Sequence, residues 1–204
     1  SELAVALSGA NRIDFINTAS LNVSASVFPQ DSDSPFDVKY GRNGRLYSTG
    51  SPGSGGFEYI HVINTVTHTH IGRSNYIIRA TPYLAISADK NYLLVNEQFS
   101  PNKLNRFNVS TDTIPNPTST PHSSGFTANT YIVLQDESKI FTSTGQVWSN
   151  PLNLDSSTLL GNFGTSGHLV EIPSLDLVAV LGNSGSVKLV RTTDYSTQAS
   201  FNLA

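Results

Sequence analysis

Apolar residues along this chain gather in short runs, and polar turn residues separate the runs. Tyr83 to Glu97, YLAISADKNYLLVNE, shows the pattern most plainly: LAI and YLLV flank the polar stretch SADKN, so the segment is expected to fold as a tight β-hairpin. Comparable hairpins are expected at 37–49 (DVKYGRNGRLYST), 131–143 (YIVLQDESKIFTS) and 168–181 (HLVEIPSLDLVAVL). No 3.6-residue apolar period competes, so helices are not expected.

The hairpins fall into units with a repeating strand order, at about 1–29, 30–76, 77–121, 122–164 and 165–204. Leu3, Leu46, Leu93, Ile140 and Leu177 take the same second-strand position, at separations of 43, 47, 47 and 37 residues. Repeats of roughly 40 to 50 residues with four strands each have the spacing of propeller blades. The expected fold is therefore all-β: a single-domain β-propeller of about five four-stranded antiparallel blades, preferred over a sandwich or barrel because near-constant spacing needs only local connections. The first unit holds three strands, LAVAL (3–7), RIDFINT (12–18) and LNVSASVF (21–28), and lacks its innermost one. Either five blades close imperfectly, or the open ring exposes an apolar edge that a homo-oligomer or the remainder of a larger chain is expected to complete.

Composition narrows the partners. Hydrophobic residues make up 38% and charged residues only 13% of 204, with Ser, Thr, Asn and Gly filling the difference, which suits turns and pleated surfaces. A net charge of −3 without any Lys/Arg-rich run speaks against nucleic acid or an anionic membrane surface as partner. No run of about 18 apolar residues is present, so no membrane-spanning helix is expected. The chain has no Cys, which removes disulfides and thiolate metal sites, and no Met, which points to a mature terminus, a proteolytic fragment or a domain of something longer.

SPFDVKYGRNGRLYSTG and LAISADKNYLLVNEQFSPNKLNRFNVSTDT resemble the repeats of bacterial and archaeal YVTN-type surface β-propellers. Ser87, Asp89 and Asn91 match that family's first hairpin turn, and Asn17, Thr18, Asn64, Thr65, Ser110 and Thr111 match its third-strand corner. The fourth unit departs from it, with QVWSNPLNL in place of a regular third strand, and the tetrapeptide that names the family is missing. The resemblance implies a secreted or cell-surface propeller, often one module of a longer polypeptide.

Chemistry is sparser than architecture. In a propeller the ligand face is built by the loops from second to third strand and from blade to blade. Glu97, Gln98, Phe99 and Lys103 on one such loop, with Arg73, Arg79 and Asp33 on connectors, form the candidate ligand-binding cluster, where an aromatic platform beside hydrogen-bonding groups suits a sugar or peptide. A solvated loop is the competing reading. His68 and His70 alternate in THTH and could share a Zn²⁺ with His61, although a surface pattern of this kind is more often solvated. Asp31 and Asp33 lack the Gly and bidentate Glu of an EF-hand and leave only an irregular calcium site open. No G-x-S-x-G and no phosphate-cradling helix start occur, and no cofactor is expected. Trp148 reads as third-strand packing, and Asn22 and Asn108 begin N-x-S triplets that matter only in a eukaryotic secreted chain.

The expected function is a non-catalytic extracellular or cell-surface module that binds a carbohydrate or protein through its loop face and assembles through its open edge. A hydrolase or lyase of the lactonase kind is the enzymatic alternative. It would need carboxylates with His or a metal at the ring centre, where the loops offer only Glu97, Asp33 and Glu58. A filament or surface-layer subunit is the structural alternative.

Overall fold

The structure, a computed structural model, describes residues 1–29, 34–51, 57–79, 82–97, 102–111, 113–121, 125–149, 151–182 and 185–203. Within these residues the chain is all-β apart from three single 3₁₀ turns at Ser8–Ala10, Leu154–Ser156 and Pro173–Leu175. The first sheet contains β1 (Glu2–Leu7), β2 (Arg12–Asn17) and β3 (Val23–Val27) in that order. The second contains β4 (Ser34–Tyr40), β5 (Arg45–Ser51), β7 (Ile60–Asn64) and β8 (Thr69–Arg73), with a separate two-stranded ribbon of β6 (Phe57–Glu58) and β9 (Ile78–Arg79).

Three more four-stranded meanders follow. The third sheet is β10 (Leu84–Ile86), β11 (Tyr92–Glu97), β12 (Lys103–Asn108) and β13 (Thr118–Ser119); the two-residue β13 is shortened by Pro115 and Pro117, which cannot donate to a ladder. The fourth is β14 (Tyr131–Val133), β15 (Lys139–Thr142), β16 (Gln146–Ser149) and β17 (Leu159–Asn162). The fifth is β18 (His168–Ile172), β19 (Leu177–Leu181), β20 (Ser186–Arg191) and β21 (Thr197–Asn202). Every pairing is antiparallel, and apart from β5 with β7 and β6 with β9 each joins consecutive strands, as short local turns dictate.

The sheets stack face to face in chain order, and their first strands touch in succession: β1 on β4, β4 on β10, β10 on β14, β14 on β18. Four apolar interfaces result. Ile13, Phe15, Leu46 and Ile63 fill the first; Tyr47, Ile60, Leu93 and Phe107 the second; Leu94, Leu104, Ile140 and Trp148 the third; and Phe141, Val147, Val178 and Val190 the fourth. Each middle sheet is apolar on both faces because its neighbours cover both.

Turn chemistry repeats with the sheets. Asn17 and Asn64 close the third-strand corner by accepting two backbone N–H groups each, from Ala19 and Ser20 and from Val66 and Thr67, at 2.8–3.1 Å. Ser87, Asp89 and Asn91 interlock in the β10–β11 turn, where Asp89 accepts from the Ser87 hydroxyl at 2.6 Å and the Asn91 N–H at 2.9 Å. A β-bulge lies between the third and fourth strands of sheets two, four and five, at Val62/Ile63, Val147/Trp148 and Leu189/Val190. In the first sheet it lies between β2 and β3, at Phe15/Ile16. Those strands therefore match third and fourth strands elsewhere, and β1 matches the second.

QVW forms the third strand of its sheet, β16, paired on both sides with Trp148 buried in the core, in keeping with its reading as third-strand packing. One sequence expectation changes. Leu177 is out of phase: Val178 points into the fourth interface, and Leu177 lies on the other face of β19. LDLVAVL is apolar at nearly every position, so its alternation carries no phase, and a one-residue slip exchanges the two faces.

Candidate functional site

The sequence-predicted cluster is only partly assembled. Glu97 ends β11 and is 4% exposed; its Oε1 accepts from the Tyr76 hydroxyl at 3.1 Å and the Asn105 amide at 2.7 Å, with the Lys103 ammonium 3.5 Å away. Lys103 also donates to the Tyr76 hydroxyl at 2.7 Å, and Ser119 donates to Asn105 at 2.6 Å. This buried charge is paired and hydrogen-bonded, which makes the group a strut between strands rather than a ligand-binding carboxylate. Arg73 lies over the Tyr59 ring at 3.8 Å, and Arg79 lies 5.8 Å from the Phe57 ring, so each cation serves a different aromatic partner. Asp33, Gln98 and Phe99 lie outside the described residues, as does Asp31.

The histidines also separate. β8 starts at Thr69, and His68 sits in the preceding turn with φ of 52°, so strand alternation does not apply to it. Its Nε2 lies 3.0 Å from Glu2 Oε2 and its ring 4.6 Å from Phe15. His70 instead meets His61, Nε2 to Nδ1 at 3.1 Å, across the β7–β8 bulge. Among the described residues no three His, Asp or Glu side chains converge as metal ligands.

A different place gathers chemistry. A cleft of about 150 Å³ opens at the amino-terminal ends of β10, β14 and β18, lined by Tyr83, Asn129, Thr130, Ser143, Ser166, Gly167 and His168. Three buried polar side chains near the ends of second strands, Thr49, Asn96 and Ser143, each 47 residues after the last, tie connectors in place, and Ser143 among them lines the cleft. The Thr49 hydroxyl donates to the Pro82 carbonyl at 2.7 Å. Asn96 accepts the Tyr83 N–H at 2.8 Å and donates to the Ala128 and Asn129 carbonyls at 3.1 and 3.3 Å. The Ser143 hydroxyl accepts the N–H groups of Asn129 and Thr130 at 3.2 and 2.9 Å, and its carbonyl takes the Gly167 N–H at 3.0 Å. Thr49 and Asn96 each fasten one sheet to the connector of the next, whereas the Ser143 side chain holds the connector of its own sheet and its backbone carbonyl reaches the next one. The cleft therefore has a fixed backbone frame.

Beneath it, Asp37 on β4 accepts the Leu84 N–H at 2.8 Å, and the Tyr131 hydroxyl donates to the Tyr83 carbonyl at 3.3 Å. Burial, with the Asp37 charge adding to it, raises the Tyr131 phenol well above its ordinary range, so it remains a donor. Tyr83 packs edge-on against Phe36 at 4.8 Å. The cleft thus offers hydroxyl, amide and imidazole groups beside an aromatic ring, with no carboxylate or ammonium among its lining residues. Sequence reasoning placed its residues on connectors and strand ends; the 47-residue series of Thr, Asn and Ser was the signal that could have found it.

No protein-family model and no curated protein matches the chain. Among solved structures it is similar to a functionally unknown protein from Desulfotomaculum acetoxidans DSM 771, with a TM-score of 0.77 and 17% identity, over 100% of this chain and 67% of that one. It is also similar to Kuenenia stuttgartiensis hydrazine synthase, with a TM-score of 0.75 and 13% identity, over 93% of this chain and 68% of that one. At these identities the likeness shows the fold alone.

Proposed function

We propose that the five sheets are blades of a β-propeller and that the chain is a non-catalytic binding module of the extracellular or cell-surface kind, which takes a carbohydrate in the cleft at the head of β10, β14 and β18. The observation that carries this reading is the cleft lining: Tyr83, Asn129, Thr130, Ser143 and His168 supply donors, acceptors and a ring face without a formal carboxylate or ammonium. A neutral polyol with alternating hydroxyls and C–H faces pairs with such a set without leaving a charge desolvated. The surface location rests on the YVTN-type turn motifs alone.

A glycan array probed with the chain and with Tyr83→Ala and His168→Ala tests the reading. At least one neutral glycan class is expected to bind, with each substitution weakening it about tenfold or more, the size of losing one good contact. Equal binding by all three proteins, or binding only to an immobilised protein partner, rejects the carbohydrate cleft.

A further inference from the structure

A second cavity, of about 330 Å³, opens beside the edge strand β8, where the second apolar interface reaches the surface between sheets two and three. Val62 and Ile114, both buried members of that interface, line it together with Gly72 and with Ile71, which is 51% exposed. A side chain at Gly72 would enter open space, with no atom within 4 Å of its Cβ. Arg45 and Arg73 line the same cavity. The register sets them apart: Arg45 lies opposite Asn64, Asn64 opposite Thr69, and Arg73 opposite His61. Their backbones are therefore four residues, about 13 Å, apart along the strand direction. Each guanidinium is held in place, Arg45 Nη1 by donating to the Thr111 carbonyl at 3.0 Å and Arg73 by lying over the Tyr59 ring at 3.8 Å. Neither is without further partners, but a guanidinium carries five N–H donors in one plane, so a carboxylate can take a pair of them beside the contacts already made. No carboxylate is among the described residues that line the cavity.

We propose that this cavity binds a small organic dianion: a dicarboxylate whose two carboxylates meet Arg45 and Arg73 and whose hydrocarbon body lies over Gly72, among Val62, Ile71 and Ile114. Charge at both ends and an apolar lining between them select such a molecule. A single carboxylate reaches one arginine and leaves the other end unmatched, and an uncharged molecule of the same shape matches neither. A polyol would set its hydroxyls against the apolar lining without partners. The volume suits a small molecule and is too little for a folded partner. The cavity shares no lining residue with the cleft at β10, β14 and β18, so this proposal neither rests on the carbohydrate reading nor falls with it.

Isothermal titration calorimetry of the chain with suberate, a linear dicarboxylate, tests the proposal, with octanoate and dimethyl suberate as controls. Suberate is expected to bind at a single site about tenfold or more tighter than octanoate, and the dimethyl ester not to bind. Arg45→Gln and Arg73→Gln are each expected to weaken suberate about tenfold, the loss of one charge-assisted pair. Arg45→Gln also releases Thr111, so a variant that keeps both arginines completes the test. Gly72→Leu sends a side chain into the open space and is expected to abolish suberate binding, leave glycan binding unchanged and move Tm by less than about 2 °C. Equal affinities for suberate and octanoate, no heat with suberate at millimolar concentration, or binding that survives Gly72→Leu overturns the proposal. So does an unfolded Gly72→Leu, which would mean that the space is not open. A short peptide with an acidic residue at each end is titrated alongside; if it binds more tightly than suberate, the occupant is a polypeptide and the proposal fails.

Discussion

Asn96→Ala is expected to be among the most damaging single polar substitutions in the molecule. The side chain is 1% exposed and makes three hydrogen bonds, one accepted from Tyr83 and two donated to the 128–129 connector. Its removal strands the Tyr83 N–H and the carbonyl of buried Ala128. At about 1–1.5 kcal/mol for each buried group left unpaired, plus a small packing loss, the cost is about 3 kcal/mol. For a domain of this size that lowers Tm by about 6–12 °C. Thr49→Val keeps the shape and loses a single bond to Pro82, so about 1 kcal/mol is expected there. Urea unfolding followed by circular dichroism gives both values at constant m. If the two substitutions cost the same, or if Asn96→Ala costs less than about 1 kcal/mol, the latches do not hold the sheets together and the frame of the cleft is misassigned.

Other consequences are as direct. Glu97→Ala leaves Lys103 and Asn105 without their shared acceptor inside the third sheet and is expected to cost about 3 kcal/mol by the same unfolding assay. Lys90 is exposed at φ of 59°, where a long side chain is strained; Lys90→Asn is expected to stabilise by about 0.5–1 kcal/mol. Acid sensitivity follows from the turn carboxylates. Asp89, Asp136 and Asp194 are held below the ordinary value of 3.8 chiefly by serine hydroxyl and backbone N–H donors, Asp14 by Arg12 and Ser26, and Glu2 below 4.5 by Ser24 and His68. Depressed folded-state values mean that the unfolded chain binds protons first, so stability is fully present above about pH 5 and is lost as pH falls through 4 and below. Glu171 runs the other way, raised by burial, so Glu171→Gln is expected to increase stability at pH 7 and leave the acid limb intact, as Tm against pH would show.

The hairpin at Tyr83–Glu97 was legible because two short apolar runs flank a polar turn that carries Ser, Asp and Asn in places where their side chains satisfy the backbone. The antiparallel meanders were legible for the same reason, at Leu46, Leu93 and Ile140, which are all fully buried. Phase failed at Leu177, where an unbroken apolar run fits either face. His68 was misread because THTH alternates in sequence while the third-strand corner places one of its residues in a left-handed turn. The site was harder still. Thr49, Asn96 and Ser143 share a hydrogen-bonding role and not an identity, so a search for recurring letters passes over them. Glu97 looked like a ligand group because it follows an apolar strand, yet Tyr76 and Lys103, which neutralise its appeal, come from a connector and the next strand.

An ¹⁵N chemical-shift titration of the chain with the neutral glycan that it binds most tightly tests the central claim most directly. The account predicts saturable shifts centred on the amides of Tyr83, Thr130, Ser143, Gly167 and His168, at the head of β10, β14 and β18. Shifts confined to other loops, or none with any glycan at millimolar concentration, would contradict it.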